Sequence, residues 1–296
     1  MKPFIRNLLR MSVYQIKYMD AVPDSAVCNE AVKLAKRHKF AQLSGFVNGV
    51  LRNIARNIDS VQFDTLSIRY SMPQWIVDRF VSAYGEKKAE EIFKAFHNKS
   101  TISIRTNLTR CTPDELRAML EAEGVTVTAV DELNYAFVIS GFDYLNGLQS
   151  FRDGLFYVQD ISSMLVAQTA APKKGDYVID VCAAPGGKSS HLAELLDGSG
   201  MVEARDLTEY KVGLIEENIL RHDLHNMKAV QQDATLFDEA SVEKADILIC
   251  DLPCSGLGVI GRKSDIRYKM TAEKAHDLAV LQQEMLDTVW KYVKRG

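Results

Sequence analysis

The segment at residues 180–189, Asp-Val-Cys-Ala-Ala-Pro-Gly-Gly-Lys-Ser, constrains the fold more than any other part of the sequence. An apolar run at 177–181 precedes it and predicts a buried parallel strand, and a helical pattern at 189–196 follows it. A strand that leads through a glycine-containing loop into a helix is typical of an open α/β sheet, where ligands bind at the carboxyl ends of the strands. Gly186 and Gly187 allow the backbone to approach such a ligand closely.

The alternation of strand and helix continues to the end of the chain. Strand patterns at 201–205, 228–232 and 245–250 are separated by helical or loop patterns, and Thr271 is placed to cap a last long helix. We therefore predict the α/β class for residues 149–296, with a doubly wound, Rossmann-like parallel sheet.

Residues 1–148 show two further patterns. Residues 61–148 combine helical patterns with strands at 101–107 and 125–130, which predicts a small α+β segment with ferredoxin-like packing as one candidate. Within it, Thr112 and Pro113 are typical of a helix start. Beyond this segment, Asp160 is placed to cap a helix of the 149–296 domain. Residues 1–60 predict an all-helical domain. The apolar face of its first helix is predicted to carry Phe4, Leu8, Met11, Ile16 and Met19.

Charge is distributed unevenly along the 296 residues, whose formal net charge is −3. Residues 1–60 carry ten Lys or Arg and four Asp or Glu, whereas the remaining residues carry 26 and 35. A basic segment on an acidic body fits a polyanionic partner, although a solvated basic helix face explains the same charges.

The five cysteines exclude two kinds of site. Their number is odd and no Cys-x-x-Cys pair occurs, which argues against a disulfide framework and against a zinc site. No apolar run reaches the ~18 residues of a membrane span, and the N-terminus lacks a signal-peptide pattern. We predict a reduced, cytoplasmic protein that binds neither a metal nor a membrane.

The glycine loop departs from two common nucleotide-binding patterns. Gly187-Lys188-Ser189 fits the end of a P-loop, but Cys182 stands where the first glycine of that motif is required. The Gly-x-Gly-x-x-Gly pattern of dinucleotide folds is absent from the sequence. A nucleoside ligand without a pyrophosphate remains, and S-adenosylmethionine (SAM) is the common one.

Asp206, Asp233 and Asp251 each follow a predicted strand. Asp206 lies 19 residues after Gly187 and suits ribose hydroxyls, and Asp233 suits an adenine amino group. A single aspartate after a strand is more often a helix or turn cap, but its recurrence at three strand ends favours ligand binding. Cys254 lies on the loop after Asp251, whereas Cys182 and Cys250 fit small buried side chains.

Two motifs, residues 180–188 and Asp-Leu-Pro-Cys-Ser-Gly at 251–256, together resemble the Sun-type (RsmB-like) RNA cytosine-C5 methyltransferases. The agreement continues at 156–163, 261–268 and 281–286. The segments at 28–36 and 46–52 are similar to the NusB-like RNA-binding domain of the branch that modifies small-subunit ribosomal RNA. The resemblance covers nearly the whole chain. It implies a class I SAM methyltransferase domain at 149–296, with an incomplete sheet, after a partial NusB-like domain at 1–60.

The resemblance also implies roles for individual residues. Asp206 would hold the ribose, Asp233 the adenine, and Asp251 would lie where the methyl donor meets the base. In this family a cysteine thiolate adds to C6 of a flipped-out cytosine of 16S rRNA, which makes C5 nucleophilic enough to take the methyl group. The SAM site would be lined by Cys182, Ala183, Ala184, Pro185, Gly186, Gly187 and Lys188, and neighbouring phosphates would be contacted by Arg262, Lys263 and Arg267.

In the family the nucleophile lies in a Thr-Cys motif after the next strand, and this sequence ends at residue 296 without that motif. We therefore assign Cys254 as a catalytic residue with an assisting role in product release. We expect a chain truncated at both ends, with strand 245–250 as an unpaired apolar edge. The expected function is methylation of a cytosine C5 in 16S rRNA through a cysteine–C6 adduct. A non-catalytic RNA- or ribosome-binding protein and a methyltransferase of amines or small molecules are the alternatives.

Overall fold

The structure, a computed structural model, describes residues 1–98 and 101–295. Lys99 and Ser100, within the predicted α+β segment, and Gly296, at the end of the predicted methyltransferase domain, lie outside the described residues. The chain divides into two compact units, Met1–Met72 and Pro73–Gly296. The finer division into three domains at residues 60 and 148 stays a prediction.

The first unit is helical, as the sequence predicts. Pro3 opens the first helix, where a missing N–H costs nothing. The core is built from small and branched side chains, among them Ile5, Ala31, Val47 and Leu51. The helices are α1 (Pro3–Tyr18), α2 (Asp24–Arg37), α3 (Ser44–Asn57) and α4 (Leu66–Arg69).

The apolar face predicted for α1 was partly wrong. Met11 and Met19 are 48% and 41% exposed. The buried stripe runs instead through Ile5, Leu8, Leu9 and Ser12. Both stripes have helical spacing, and packing against α2 and α3 selects the one that carries the branched residues.

The second unit begins with an antiparallel sheet in which the strands lie in the order β2-β3-β1-β4. One face is packed by a cluster that contains Ile104, Leu116, Leu120 and Phe137. No strand was predicted for β3, and β4 lies beyond the predicted boundary at 148 yet pairs with β1. The strands are β1 (Ile102–Thr106), β2 (Thr126–Val130), β3 (Leu133–Ser140) and β4 (Phe156–Val158), and the helices are α5 (Gln74–Tyr84), α6 (Glu86–Ala95), α7 (Pro113–Ala122) and α8 (Gln149–Arg152).

A parallel sheet follows in the order β7-β6-β5-β8, which confirms the predicted α/β class. Because β5 has β6 on one side and β8 on the other, the strand order reverses at β5, and the carboxyl ends of β5 and β8 form the crevice where such sheets bind ligands. The strands are β5 (Tyr177–Asp180), β6 (Met201–Asp206), β7 (Met227–Gln231) and β8 (Ile247–Ile249). The helices are α9 (Ile161–Ala170), α10 (Gly187–Leu195), α11 (Glu209–His222), α12 (Ile266–Lys269) and α13 (Ala272–Val289).

The chain segment around the edge strand β8 is partly paired and partly covered, contrary to the prediction of an unpaired edge. Just before it, the Ala245 N–H donates to Tyr292 O at 2.9 Å, and the Lys294 N–H donates to Ala245 O at 2.8 Å. Met285 and Val289 of α13 are buried in a cluster that the β8 residue Leu248 also packs against. The expectation of an unpaired apolar edge is therefore corrected at its first residues, because the segment after α13 returns beside the sheet.

Candidate active site

The motif loop, residues 181–186, connects β5 to α10 at the crevice between β5 and β8. Gly186 has φ 103° and precedes the first residue of α10. This left-handed backbone conformation favours glycine, whereas a Cβ there would make only ordinary contacts, 3.5 Å from Ile215 Cγ2 and from Met227 Cε. The loop contains a cis peptide bond between Ala184 and Pro185.

A cavity of about 220 Å³, here called the motif cavity, opens at this loop. Asp180, Gln159, Asp160 and Ser163 also line it, although none of them was among the predicted site residues. The signal for Asp180 was its place at the head of the motif, and for the others the family-like segment at 156–163. The predicted site residues that line the cavity are Cys182, Ala183, Ala184, Pro185, Gly187, Lys188 and Asp251.

Asp180 is an acid enclosed at the carboxyl end of β5, with 1% of its surface exposed. Ser189 Oγ donates to its Oδ2 at 2.6 Å, and the Cys182 N–H donates to its Oδ1 at 3.4 Å. Burial raises the pKa of Asp180 to about 6, against the opposing effect of these hydrogen bonds and of Lys188.

Lys188 and Asp251 join the two strand ends. Lys188 Nζ lies 2.5 Å from Asp251 Oδ2, and their side chains are 21% and 58% exposed. The pair bridges the start of α10 and the loop after β8. The lining thus holds the carboxylates of Asp160, Asp180 and Asp251 and the ammonium of Lys188.

Asp206 and Asp233 are engaged by protein groups rather than directed at the motif cavity. Asp206 is 3% exposed and accepts hydrogen bonds from the Ala184 N–H at 3.1 Å and from Lys211 Nζ at 2.9 Å. Asp233 Oδ1 accepts from both the N–H and the hydroxyl of Thr235, at 2.9 and 2.8 Å. The capping alternative therefore describes the contacts of Asp233, while Asp206 anchors the motif loop.

The cysteines differ in exposure as the sequence suggested. Burial raises the pKa of Cys182 to about 12 and that of Cys250 to about 11, so both thiols stay protonated. Cys254 is exposed on the loop after β8, which is held where Gln282 Nε2 donates to Pro253 O at 2.7 Å. The thiol open to solvent is thus the one on the predicted Asp-x-Pro-Cys motif.

Two predictions about charged side chains need correction. Asp160 precedes α9, but its side chain makes no cap hydrogen bond and pairs with Arg262 Nη1 instead. Arg267 is 7% exposed and its Nε donates to Ser264 O at 3.0 Å, so it is poorly placed to contact a phosphate. The sequence does not reveal the first pairing because its partners are 102 residues apart, and it does not reveal the second because the acceptor is a backbone carbonyl.

Residues 1–98 and 101–295 contain neither a membrane-spanning helix nor a cluster of metal ligands. No helix in this part of the chain has the length and apolar character required to cross a membrane. No group of three or more His, Cys, Asp or Glu side chains there is arranged to hold a metal ion.

Three family matches cover different parts of the chain. Residues 167–296 match the family described as 16S rRNA methyltransferase RsmB/F. Residues 1–56 match the NusB family, and residues 72–142 match the ferredoxin-like domain of the RsmF/B-like methyltransferases.

Individual proteins agree with these matches. A Bacillus subtilis (strain 168) protein named "Probable ribosomal RNA small subunit methyltransferase B" is 37% identical over 303 residues, which span 100% of this chain and 67% of the relative. A Synechocystis protein of the same name is 32% identical over 99% of this chain and 68% of its own length. The crystal structure of PH0851 has a TM-score of 0.80 at 26% identity, covering 100% of this chain and 68% of that one. The predicted resemblance is confirmed, and this chain belongs to the RsmB family of ribosomal RNA small subunit methyltransferases.

Proposed function

We propose that this chain belongs to an enzyme that transfers a methyl group from SAM to C5 of a cytosine in 16S rRNA. The observation that carries the proposal is the motif cavity at the β5–β8 crevice, which lies beside a loop with an exposed thiol. An rRNA methyltransferase needs a methyl-donor site next to a place for the base, and this crevice supplies both. The cytosine specificity rests on the likeness of the Asp-Leu-Pro-Cys-Ser-Gly motif at 251–256 to the cytosine-C5 methyltransferases, in which a second cysteine adds to C6 and activates C5 while the cysteine of this motif assists.

The chemistry of the lining fits SAM. Asp251 pairs with Lys188 and Asp160 pairs with Arg262, so the excess negative charge on the lining belongs to Asp180, which is ionised above its pKa of about 6. At neutral pH the cavity therefore favours a positively charged ligand. Gly187 lines the cavity, and a Cβ added there would have Gln159 Nε2 as its nearest neighbour, at 3.9 Å, so the space in front of the glycine is open. The volume of about 220 Å³ is below the ~300–1,000 Å³ typical of pockets for whole ligands. We therefore assign the cavity to the methionine end of SAM, with Asp206 and Asp233 towards the nucleoside end.

Bound SAM would supply an electrophilic methyl group carried on a sulfonium sulfur. Asp251 pairs with Lys188 on the lining of the motif cavity. Asp180 anchors the helix start through Ser189. We assign Cys254 the assisting role in product release: its thiolate form accepts the C5 proton, the C5–C6 double bond re-forms, and the bond between C6 and the nucleophile's sulfur breaks.

The binding half of the proposal is tested with Asp251→Asn by isothermal titration calorimetry of SAM. The substitution leaves Lys188 uncompensated beside a cationic ligand, so we expect binding to weaken by roughly ten- to a hundredfold, the effect of a unit charge at about 4 Å. The affinity for S-adenosylhomocysteine, which lacks the sulfonium charge, should fall by a smaller factor. Asp197→Asn is the matched control. Asp197 lies outside the motif loop and forms an exposed ion pair with Lys174, in which Oδ2 and Nζ are 2.6 Å apart.

The chemical half is tested with 16S rRNA that carries tritium at cytosine C5. Methylation at C5 releases this tritium to water in proportion to methyl incorporation, and Cys254→Ala should lower the rate of release. Methyl incorporation without tritium release would contradict C5 as the acceptor. SAM uptake and rRNA binding without any transfer would support the non-catalytic RNA-binding alternative.

A further inference from the structure

We propose that a second cavity in the Pro73–Gly296 unit binds an RNA nucleotide next to the target cytosine, with Arg262 leaving Asp160 to contact the phosphate of that nucleotide. This inference rests on the proposed function, because it names a further subsite for the same RNA. The cavity has a volume of about 450 Å³. It lies between Phe96 after α6, Val138 of β3 and Val259 on the loop that continues from Cys254.

The chemistry of this second cavity suits a nucleotide. Phe96, Val138 and Ile161 are half-buried, so each offers an apolar surface that a base can cover, and the ring of Phe96 offers a face for base stacking. The hydroxyl of Ser162 on the lining is a partner for polar groups of a base. A volume of about 450 Å³ lies within the ~300–1,000 Å³ range of small-molecule sites.

The second cavity adjoins the motif cavity. Asp160 lines both of them, so a nucleotide in the second cavity would lie directly beside the methyl-donor site. Val259 follows Cys254 by five residues on the same stretch of chain. The flipped base at Cys254 and the neighbouring nucleotide at Val259 would therefore lie along the same loop.

Arg262 lines the second cavity, next to Asp160, which lines both cavities. It forms an ion pair with Asp160, and the two side chains are 47% and 37% exposed. An exposed ion pair contributes little to stability, so a phosphate, which accepts two hydrogen bonds from a guanidinium, can replace the carboxylate. Departure of Arg262 would leave the charge of Asp160 uncompensated at the rim of the motif cavity.

This exchange links the two ligands. An additional negative charge at the motif cavity favours a cationic donor, so RNA in the second cavity strengthens SAM binding, and SAM strengthens RNA binding by the same factor. We expect a factor of about five, at the lower end of measured couplings.

The location of the nucleotide is tested by photo-cross-linking of 16S rRNA that contains 4-thiouridine, with mass-spectrometric mapping of the peptides. We expect cross-links on the peptides that contain Phe96 or Val259. Gly258→Leu should abolish them, because Gly258 lines the cavity and a Cβ there meets nothing within 4 Å, so the larger side chain fills the space without displacing the backbone. Gly213→Leu on α11 is the matched control, since a Cβ at Gly213 also meets nothing within 4 Å.

The exchange of partners is tested by binding of sinefungin, a cationic SAM analogue that transfers no methyl group, with and without the 16S rRNA transcript. In the unaltered chain RNA should strengthen sinefungin binding about fivefold. Arg262→Met should remove this effect, because Asp160 is then uncompensated throughout. Lys269→Met, which breaks the exposed Lys269–Asp265 pair on the following helix, should retain it.

The outcomes separate this proposal from the proposed function. Cross-links that persist in Gly258→Leu, or an RNA effect that persists in Arg262→Met, would overturn the second site while SAM binding and transfer stand. Absence of sinefungin and SAM binding by the unaltered chain would instead overturn the proposed function.

Discussion

At the residue scale, Asp180 shows how position in the sheet changes the chemistry of a side chain. The sequence places it as the last residue of a strand, where many such residues are ordinary caps. The structure encloses it under the motif loop, and burial raises its pKa to about 6 from an ordinary value of 3.8. An acid in this state resists ionisation in the folded protein.

This raised pKa predicts a pH dependence of stability. The folded state holds the Asp180 proton more tightly than the unfolded state, so its contribution is complete below pH ~4 and is lost as the pH rises through about 6. The loss amounts to about 3 kcal/mol, from the ~1.4 kcal/mol that accompanies each pH unit. Asp180→Asn should remove this contribution, as measured by urea unfolding at several pH values between 4.5 and 7.5.

Asp197→Asn is the control with the opposite sign. Hydrogen bonding and attraction to Lys174 lower the pKa of Asp197, so its contribution is present at neutral pH and is lost as the pH falls. Parallel stability curves for the unaltered chain and Asp180→Asn would contradict the raised pKa of Asp180.

At the element scale, the start of α7 is the clearest case of local sequence deciding local structure. Thr112 Oγ1 accepts from the Glu115 N–H at 3.3 Å, and the Glu115 carboxylate accepts from the Thr112 N–H at 2.8 Å. These reciprocal bonds satisfy two backbone donors that no helical carbonyl can reach. Thr112 and Glu115 are only three residues apart, so the capping motif is predictable without tertiary information.

Thr112→Ala should destabilise the Pro73–Gly296 unit by about 1 kcal/mol, the usual cost of losing a threonine cap. Urea unfolding at pH 7 followed by circular dichroism measures the change. Thr169→Ala is the matched control, because Thr169 lies inside α9 and donates back to Leu165 O, where alanine is at least as favourable. An equal loss in both variants would show that the cap does not stabilise α7.

Elements whose boundaries or faces depend on distant partners were predicted less well. The buried face of α1 required knowledge of which stripe α2 and α3 cover. Asp160 has the position of a cap, but the charge of Arg262, a hundred residues later, captures its side chain. Local propensity cannot anticipate a partner that only the folded chain brings near.

At the scale of the whole molecule, a buried ion pair connects the antiparallel sheet of the Pro73–Gly296 unit to helix α10 of its parallel-sheet part. Arg105 of β1 lies 2.5 Å from Glu194 of α10, with side chains 1% and 3% exposed. Arg105 Nε also donates to Gln159 Oε1 at 2.8 Å, and its guanidinium lies 4.0 Å from the centre of the Tyr157 ring. The pair thus ties the antiparallel sheet to the helix that begins at the motif cavity.

Removal of one partner should be costly. Arg105→Met leaves the Glu194 carboxylate buried without its cation, and we expect a loss of about 3–5 kcal/mol in the free energy of unfolding. The double variant Arg105→Met/Glu194→Met should recover most of this loss, because no isolated charge remains. Urea unfolding in a double-mutant cycle measures the coupling.

The exposed Lys174–Asp197 pair is the comparison for this cycle and should show a coupling of only about 0–1 kcal/mol. A double variant as unstable as Arg105→Met alone would mean that the pair stabilises the sheet contact through packing rather than charge.

The sequence by itself determined the order of strands and helices in the parallel sheet, the start of α7 and the place of the motif loop, because these depend on residues close together in the chain. The sequence also identified the family, because two long motifs can be recognised from the order of their residues without knowledge of the packing. Tertiary structure alone decided that β4 joins β1, that Asp180 is enclosed, and that Asp160 pairs with Arg262 instead of capping α9. It also decided that Asp206 pairs with Lys211. Burial and ion pairing depend on residues that are distant in sequence. The pKa and the ion-pair partner of each site residue are therefore decided only when the chain folds.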